Sequence, residues 1–273
     1  QTMEAYAFEN CNRLTSIRIP KSLEETVIVN HYGPFYGCEN LKEVTFEEGI
    51  KTIAKGLFAN CPGLEEIVIP DTVTELGRNA FEKCTSLKKV TIGNSVTTLG
   101  SYAFAGCGKI SEVVIPDSVT TIGSHAFGDC INLGSVQLSA NLQTMEAYAF
   151  ENCDQLTSIR IPKSLEKTVM VNCYGPFYGC DNLKEVTFEE GTKIIAQGLL
   201  ANCPGLEEVT IPETVTEIGS NAFENSKNLK KVVLSKKLKK IGTLVFESCE
   251  SLTEMDLSDT EVSEIGSMCF ESC

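Results

Sequence analysis

The sequence lacks several features that would mark common classes of protein. None of its apolar runs approaches the about 20 residues that a helix needs to cross a bilayer, which argues against a membrane-spanning segment. It has only two histidines among 273 residues, and it contains no CxxC pair, nucleophile elbow, Walker loop, HExxH or EF-hand loop. We therefore predict no enzymatic activity and no catalytic, metal or cofactor site.

Positive charge is also scarce. Lysine and arginine total 23 against 37 aspartates and glutamates, so the formal net charge is −14 and the pI is about 4.7. Such a surface repels phosphate backbones and anionic lipid heads, so we predict neither nucleic-acid binding nor membrane insertion. Acidic charge can also serve only to keep a repetitive protein soluble.

What the sequence has in abundance is one repeated unit. An aromatic residue recurs every 23 residues, with two steps of 27 and a last step of 24, and Leu200 replaces it once. The column reads Phe8, Phe35, Phe58, Phe81, Phe104, Phe127, Phe150, Phe177, Leu200, Phe223, Phe246 and Phe270. A cysteine follows three residues after nearly every member, and Ser226 is the exception.

Each unit has the same local pattern. L-K-K-V-T-I (87–92) alternates with period two and is β-branched, which predicts a short strand, and a Pro or Gly often ends it. V-T-x-I-G predicts a second short extended piece, and A-F-x-x-C predicts one helical or 3₁₀ turn. One unit buries too little apolar surface to fold alone, so the units must stack as a solenoid.

The full pattern C-x-x-L-x-x-V-x-I-P-x-x-V-T-x-I-G-x-x-A-F-x-x-C resembles the bacterial leucine-rich repeat of the Treponema pallidum type, as in Bacteroides surface protein A-like proteins. The resemblance implies an α/β, β-rich leucine-rich-repeat solenoid. Its fold would be a curved right-handed coil with a parallel sheet on the concave face and short strands and 3₁₀ or helical turns on the convex side. It also implies a secreted or cell-surface protein of bacteria or some protists, often adhesive to host proteins or other cells.

A longer period lies above the short one. Residues 1–84 and 143–226 differ at 17 of 84 aligned positions, which indicates that a six-unit block was duplicated. We predict one solenoid over residues 1–273, of about twelve units, with the blocks at 1–142 and 143–273. Because the first and last residues fall inside a repeat, we expect a piece of a longer array.

Both 27-residue steps carry four extra residues, in 21–38 and 163–180, and we predict that they bulge outward. The bulges hold two tyrosines each, Tyr32 and Tyr36 and then Tyr174 and Tyr178. Exposed tyrosines on a rigid turn suit protein binding, and two sites about 29 Å apart would favour a multivalent partner. The alternative is that they pack on the flank of the solenoid itself.

Neither histidine indicates catalysis. His31 lies in the first bulge, but Cys173 replaces it in the second copy. His125 occupies a variable position beside the Ala-Phe pair, where Asn79 and Tyr102 also occur.

The cysteines at the repeated position should form an inward row. Neighbours in such a row are about 4.7–4.9 Å apart with parallel side chains, which suits neither a disulfide nor tetrahedral zinc. We predict free, buried thiols that act as small apolar fillers, with Ser226 acceptable because a small side chain suffices. Cys173 and Cys269 lie off the row, and Cys173 is predicted to be the most reactive thiol.

Two columns of the L-x-x-V-x-I strands should face solvent. Our candidate protein-binding residues on that face are Arg18, Glu43, Glu66, Glu112, Arg160, Glu185, Glu208 and Glu254. Because the columns lack aromatic anchors, we predict a broad contact with a basic or extended protein, or alternatively an inert solvated face. The predicted function is a non-catalytic binding module, secreted or on the cell surface, that adheres to host matrix proteins or other cells. The alternative function is a rigid spacer that presents another domain.

Overall fold

The computed structural model describes residues 1–23, 25–29, 31–165, 167–171 and 174–273. The chain winds into a stack of coils, and strands of successive coils pair in parallel. Cys173, which we predicted to be the most reactive thiol, lies outside the described residues.

The strands are numbered β1 to β22 along the described chain, and most coils contribute one strand to each of two ladders. The first ladder contains the L-x-x-V-x-I strands β2 (Ser16–Ile19), β4 (Glu43–Phe46), β6 (Glu66–Val68), β8 (Lys89–Thr91), β10 (Glu112–Val114), β12 (Ser135–Gln137), β14 (Ser158–Ile161), β16 (Glu185–Phe188), β18 (Glu208–Thr210) and β20 (Lys231–Val233). The second contains β1 (Thr2–Met3), β3 (Glu25–Thr26), β5 (Thr52–Ile53), β7 (Glu75–Leu76), β9 (Thr98–Leu99), β11 (Thr121–Ile122), β13 (Thr144–Met145), β15 (Lys167–Thr168), β17 (Ile194–Ile195), β19 (Glu217–Ile218), β21 (Lys240–Ile241) and β22 (Glu264–Ile265).

The pairing confirms that like residues of successive repeats lie side by side. In the first ladder Val113 is opposite Val136, and in the second Ile122 is opposite Met145. Along each strand the residues alternate between exposed and buried, because successive side chains point to opposite faces of the sheet. The fold is therefore a parallel-sheet solenoid, as the repeat predicts.

The first ladder consists of five two-stranded sheets, β2–β4, β6–β8, β10–β12, β14–β16 and β18–β20, whereas the second ladder is interrupted where the bulges occur. The odd-numbered strands from β5 to β15 form one six-stranded sheet, and β17, β19, β21 and β22 form another. Strand β3 pairs with β1 and, among the described residues, not with β5. The two breaks follow β3 and β15, which are the strands that lead into the bulges. The extra residues of each bulge therefore coincide with a break in the second ladder, and the sequence did not predict these breaks.

The A-F-x-x-C segment is not helical, and no helix occurs in the described part of the chain. In the unit around Phe81, the amides of Ala80, Glu82 and Cys84 each donate to the carbonyl three residues earlier. The amides between them donate to the next coil, as Phe81 does to the carbonyl of Ala103. Left-handed residues at Asn79 (φ 59°) and Lys83 (φ 58°) prevent a continuous helix. The segment therefore forms a third hydrogen-bonded ladder of turns, and the predicted helical or 3₁₀ turn is not confirmed.

Phenylalanine rings fill the centre of the stack. Their side chains are fully buried from Phe35 to Phe246, and Leu200 is buried in the same column. Centroids of neighbouring rings are 4.8 to 5.5 Å apart, and within the core run from Phe58 to Phe150 the rings lie within 17° of parallel. We call this run of rings the phenylalanine column. It confirms that the same position of nearly every repeat fills the core with a phenylalanine ring.

The cysteines form a second internal column beside the rings, and the twelve that the structure describes are free thiols. Each buried thiol of this column donates to the carbonyl of the phenylalanine of the preceding coil, as Cys107 Sγ does to Phe81 O at 3.2 Å. Ser226 keeps this bond through its hydroxyl, 3.1 Å from Leu200 O. The position therefore selects a small donor, and not merely a small side chain. Cys269 is also buried, but it stands in the alanine column next to Phe270.

Candidate protein-binding surfaces

Each bulge places its two tyrosines against a third tyrosine from the coil before it. In the first copy Tyr6 lies 6.1 Å from both Tyr32 and Tyr36, whose rings are 4.2 Å apart. The second copy repeats the arrangement with Tyr148, Tyr174 and Tyr178, whose ring centroids are 4.4 to 5.6 Å apart. All six side chains are half-buried. The predicted sites are therefore clusters of three tyrosines, with one flank exposed.

The bulges lie along the side of the stack. Val29 and Tyr32 close a tight turn through an antiparallel bridge, and the buried Thr26 hydroxyl donates to the carbonyl of Lys55 in the next coil. A Cβ added to Gly33 would lie 1.7 Å from the carbonyl oxygen of Gly56, so glycine is required at this close approach. The bulge thus packs on the flank of the solenoid, as our alternative prediction held, and leaves its tyrosine edges accessible.

His31 extends the contacts of the first bulge farther along the flank. Its Nδ1 lies 3.2 Å from Glu82 Oε2 and 3.1 Å from Asn79 Nδ2, and its ring meets the edge of Tyr102 at 5.8 Å. Glu82 is 6% exposed and also accepts from Asn79 Nδ2 at 2.6 Å. A residue of the bulge therefore contacts coils two and three repeats away.

Two further rings connect the bulges. Tyr102 stacks on His125 at 4.4 Å with an interplanar angle of 7°, and His125 stacks on Tyr148 at 4.6 Å and 23°. Together these side chains form one continuous surface, which we call the aromatic row. Its members are Tyr6, His31, Tyr32, Tyr36, Tyr102, His125, Tyr148, Tyr174 and Tyr178.

Our sequence reasoning missed Tyr6, Tyr102, His125 and Tyr148 as surface residues that act together. The available signal was the variable position just before the Ala-Phe pair. At that position the backbone is left-handed, with φ of 60° at Tyr102, 54° at His125 and 63° at Tyr148. The fold constrains this backbone conformation and leaves the side chain free to vary, so variation there is compatible with a role in binding.

Burial governs the protonation of the middle of the row. Desolvation lowers the pKa of His125, which Asp129 partly offsets, whereas desolvation and then Asp129 raise the pKa of Glu151. Glu151 Oε2 lies 3.2 Å from His125 Nε2. Both shifts favour the neutral forms of this pair. In both clusters desolvation is also the main cause that raises the pKa of a tyrosine, at Tyr36 and at Tyr148.

Ser124, His125 and Glu151 have the residue types of a hydrolase triad. Ser124 Oγ lies 2.8 Å from His125 Nδ1, but it lies equally close to the carbonyl oxygen of Ala147, which it bonds as a ladder contact. The carbonyl can only accept, so it holds the serine proton as part of the stacking of coils. The arrangement is accounted for by packing.

The strand face has the exposure that the alternation predicts. The eight candidate residues on it, Arg18, Glu43, Glu66, Glu112, Arg160, Glu185, Glu208 and Glu254, are all exposed. All but Glu254 lie in first-ladder strands. Val68 and Val114 are exposed on the same face at 61% and 58%. A depression of 690 Å³ lies between β8 and β10 and is lined in part by Glu112 and Val114. The face is thus open and mixed in charge, and its two exposed columns carry no aromatic side chain.

A sequence profile described as BspA type leucine rich repeat region matches six copies along the chain, over residues 1–132, 97–175 and 170–273. The chain belongs to the BspA-type leucine-rich repeat family. No curated protein matches it. The part of this family member that the structure describes has no helix long and apolar enough to cross a bilayer.

Solved structures show the same fold. A leucine-rich repeat protein from Bacteroides ovatus is 26% identical, with a TM-score of 0.68, and the match covers 100% of this chain and 80% of that one. A leucine-rich repeat protein from Eubacterium ventriosum is 21% identical, with a TM-score of 0.60 and the same coverage. These likenesses support the assignment of this family member to a bacterial leucine-rich repeat solenoid.

Proposed function

We propose that this chain is a non-catalytic protein-binding module of a secreted or cell-surface bacterial protein, and that it adheres to host matrix proteins or to other cells. The observation that carries the proposal is the pair of matching tyrosine clusters. Both copies have kept the three tyrosines through the duplication, and both hold them half-exposed on the flank of the stack. Tyrosines offer a large contact area for a small loss of conformational entropy.

The strand face is the second part of the proposed surface. Its exposed glutamates would contribute charge complementarity and faster association with a basic partner, while the tyrosines would contribute most of the affinity. Two clusters on one rigid stack would also strengthen binding to a partner with repeated epitopes.

The test is binding to immobilised fibrinogen, fibronectin and mucin, measured by surface plasmon resonance. A bulge variant carries Tyr32→Ser, Tyr36→Ser, Tyr174→Ser and Tyr178→Ser. A face variant carries Glu43→Gln, Glu66→Gln, Glu112→Gln, Glu185→Gln and Glu208→Gln. A control variant carries Glu39→Gln and Asp181→Asn, which are exposed and equivalent corner residues of the two copies.

We expect saturable binding to at least one of these proteins, a loss of about tenfold or more in the bulge variant, and little change in the control. We expect the face variant to bind more slowly and to depend less on salt. If the unmodified chain binds none of them, or if the bulge variant binds unchanged, the rigid-spacer alternative is the better description.

A further inference from the structure

Each three-tyrosine cluster contains two rings that are closer to each other than to the third. The ring centroids are 4.2 Å apart for Tyr32 and Tyr36, and 4.4 Å apart for Tyr174 and Tyr178. The third tyrosine of each cluster lies 5.6 to 6.1 Å from both of these rings. We call the two close couples the tyrosine pairs. In the first pair, desolvation raises the pKa of Tyr36 most, followed by the charge of Tyr32 and a side-chain hydrogen bond with it, which indicates that the two phenol groups are close together.

The backbone between the two tyrosines of a pair is fixed against the stack. Phe35, which lies between them in the first pair, is fully buried in the phenylalanine column. A Cβ added to Gly33 would collide with the carbonyl oxygen of Gly56 in the next coil, and the second copy repeats this close approach with Gly175 and Gly198. The fold therefore holds the rings of each pair beside each other.

Two phenols held in this way suit oxidative coupling. A tyrosine that loses one electron and its hydroxyl proton becomes a phenoxyl radical, and two such radicals join through the ring carbons next to their oxygens. Coupling is favoured when the rings are already adjacent, because the radicals then do not have to meet by diffusion. Other oxidisable groups compete little at the first pair. The chain has no tryptophan, and burial raises the pKa of the Cys38 thiol, which disfavours its reactive thiolate form.

We propose that the tyrosine pairs are sites of oxidative cross-linking, at which a haem peroxidase acting with hydrogen peroxide couples Tyr32 to Tyr36 and Tyr174 to Tyr178 as dityrosine. All four side chains are half-exposed, so each ring keeps an edge that the oxidant can reach. Each phenol gives up one electron and one proton, and one carbon–carbon bond forms between the two rings. The hydrogens on the bonded carbons then move to the oxygens. Each pair loses two hydrogen atoms in all, and one molecule of peroxide becomes two of water.

This inference goes beyond the proposed function and does not rest on it, because the reaction needs no binding partner. The product fixes the two rings of a pair to each other across the short turn between them. The cross-link would thus preserve the shape that the bulge already has in the folded chain.

The test oxidises the full chain, at low protein concentration, with a haem peroxidase and hydrogen peroxide. The thiols are then reduced and alkylated in denaturant, and the chain is digested with trypsin. Cleavage after lysine and arginine leaves both tyrosines of the first pair in peptide 22–42, both of the second pair in peptide 168–184, and Tyr6 in peptide 1–13. Coupling within a pair therefore makes one peptide lighter by two hydrogen atoms, whereas coupling to Tyr6 joins two peptides. Mass spectrometry separates these products, and the emission of dityrosine follows the reaction in time.

Three variants sharpen the test, and circular dichroism confirms that each is folded. Tyr32→Phe removes one phenol of the first pair but keeps its ring, and the second pair then serves as an internal reference. Tyr102→Phe is the matched control, because the ring of Tyr102 contacts His31 and His125. Cys173→His gives the second bulge the residue of the first, and removes the thiol that precedes the second pair in the sequence.

We expect peptides 22–42 and 168–184 each to lose two hydrogen atoms, at a rate per chain that does not depend on protein concentration. Tyr32→Phe should abolish the change in peptide 22–42 and leave that in 168–184, and Tyr102→Phe should affect neither. Because a thiol can reduce a phenoxyl radical, the yield in 168–184 should be the lower of the two, and Cys173→His should raise it to that of 22–42. A yield that stays low in this variant would reject the second site.

Three other results would overturn the inference. Dityrosine that joins separate chains, at a rate that rises with protein concentration, would mean random collision rather than coupling of rings held by the fold. Cross-links from Tyr6 in place of those within the first pair would mean that ring proximity does not select the partner. Oxidation of tyrosine without the loss of two hydrogen atoms in either peptide would show that the pairs do not couple.

Discussion

Two series of aromatic rings run along this stack, the phenylalanine column inside it and the aromatic row on its flank. The column holds phenylalanine at nearly every coil, with centroids 5.3 to 5.5 Å apart through most of its length. The row is made of tyrosine and histidine, and other coils place glycine, asparagine or leucine at the same position. Its contacts vary from 4.2 to 6.1 Å and from parallel to edge-on.

The difference separates what the fold needs from what it permits. A large apolar side chain is needed in every coil, because an empty place would leave a cavity and the loss of contacts with both neighbours. On the flank the fold fixes only a left-handed backbone, so the side chain is free to serve another purpose. Uniformity in a repeat therefore indicates packing, whereas a departure from uniformity is the better guide to binding.

The largest loss of stability is expected for a cavity in the phenylalanine column. Phe104→Ala should lower the free energy of unfolding by about 3–5 kcal/mol, because the ring is fully buried between two others. Phe104→Leu is the matched control, and it should cost clearly less since Leu200 fills the same position naturally. Urea denaturation followed by far-ultraviolet circular dichroism measures both. Equal losses for alanine and leucine would contradict the role of the column as close-packed filler.

The close contact between Gly33 of the first bulge and Gly56 of the next coil should be the next most sensitive place to substitution. Gly33→Ala puts a methyl group against the Gly56 carbonyl, and overpacking of this kind typically costs about 1–3 kcal/mol. Gly49→Ala is the control, because Gly49 is left-handed (φ 86°) but has no atom within 4 Å of an added Cβ. It should cost about 1 kcal/mol from backbone strain alone. A difference in thermal midpoint between the two would confirm that the bulge is held against the stack, and no difference would argue for a loose bulge.

A smaller effect is expected for the thiol column. Cys107→Ser keeps a donor to Phe81 O and should change the free energy of unfolding by less than about 1 kcal/mol. Cys107→Val keeps apolar volume but removes the donor, so it should be the more destabilising of the two. Denaturant titration compares them. A valine variant more stable than the serine variant would restore our first interpretation, in which the cysteine is only a filler.

The smallest effect concerns the protonation of the row. By nuclear magnetic resonance, His125 should titrate with a midpoint below its ordinary pKa of 6.5, because burial disfavours the charged ring. Asp129→Asn should lower the midpoint further, since the Asp129 charge raises the pKa. The folded chain then binds fewer protons at His125 than the unfolded chain does, so this group makes stability fall as pH drops below 6.5. A midpoint at or above 6.5 would mean that Glu151 holds the ring in its charged form.

The repeat predicted most of the fold because each buried column reads directly from the sequence. The strand register, the phenylalanine column and the parallel pairing all follow from the 23-residue period, and the six-copy family match agrees with them. The helical or 3₁₀ turn predicted for A-F-x-x-C is not confirmed, because left-handed backbone at Asn79 and Lys83 divides the segment into separate turns.

The candidate site was only partly predictable. Tyr32, Tyr36, Tyr174 and Tyr178 were identified because the extra residues drew attention to them. Their partners Tyr6 and Tyr148 lie one coil earlier, and that proximity depends on how the bulge folds over the flank. The interruption of the second ladder was missed for the same reason, since the path of four extra residues is decided by tertiary contacts such as that of Thr26 with Lys55.

The separation between column and row is tested most directly by the free energy of unfolding of the triple variant Tyr102→Asn, His125→Asn and Tyr148→Asn. If the row serves binding and the fold requires only its backbone conformation, urea denaturation should show a total loss of about 2 kcal/mol or less, because the three rings are only half-buried and their loss removes mainly the two stacking contacts. A loss of about 3 kcal/mol or more, comparable to that of Phe104→Ala, would show that the row is part of the structural core and would contradict this account.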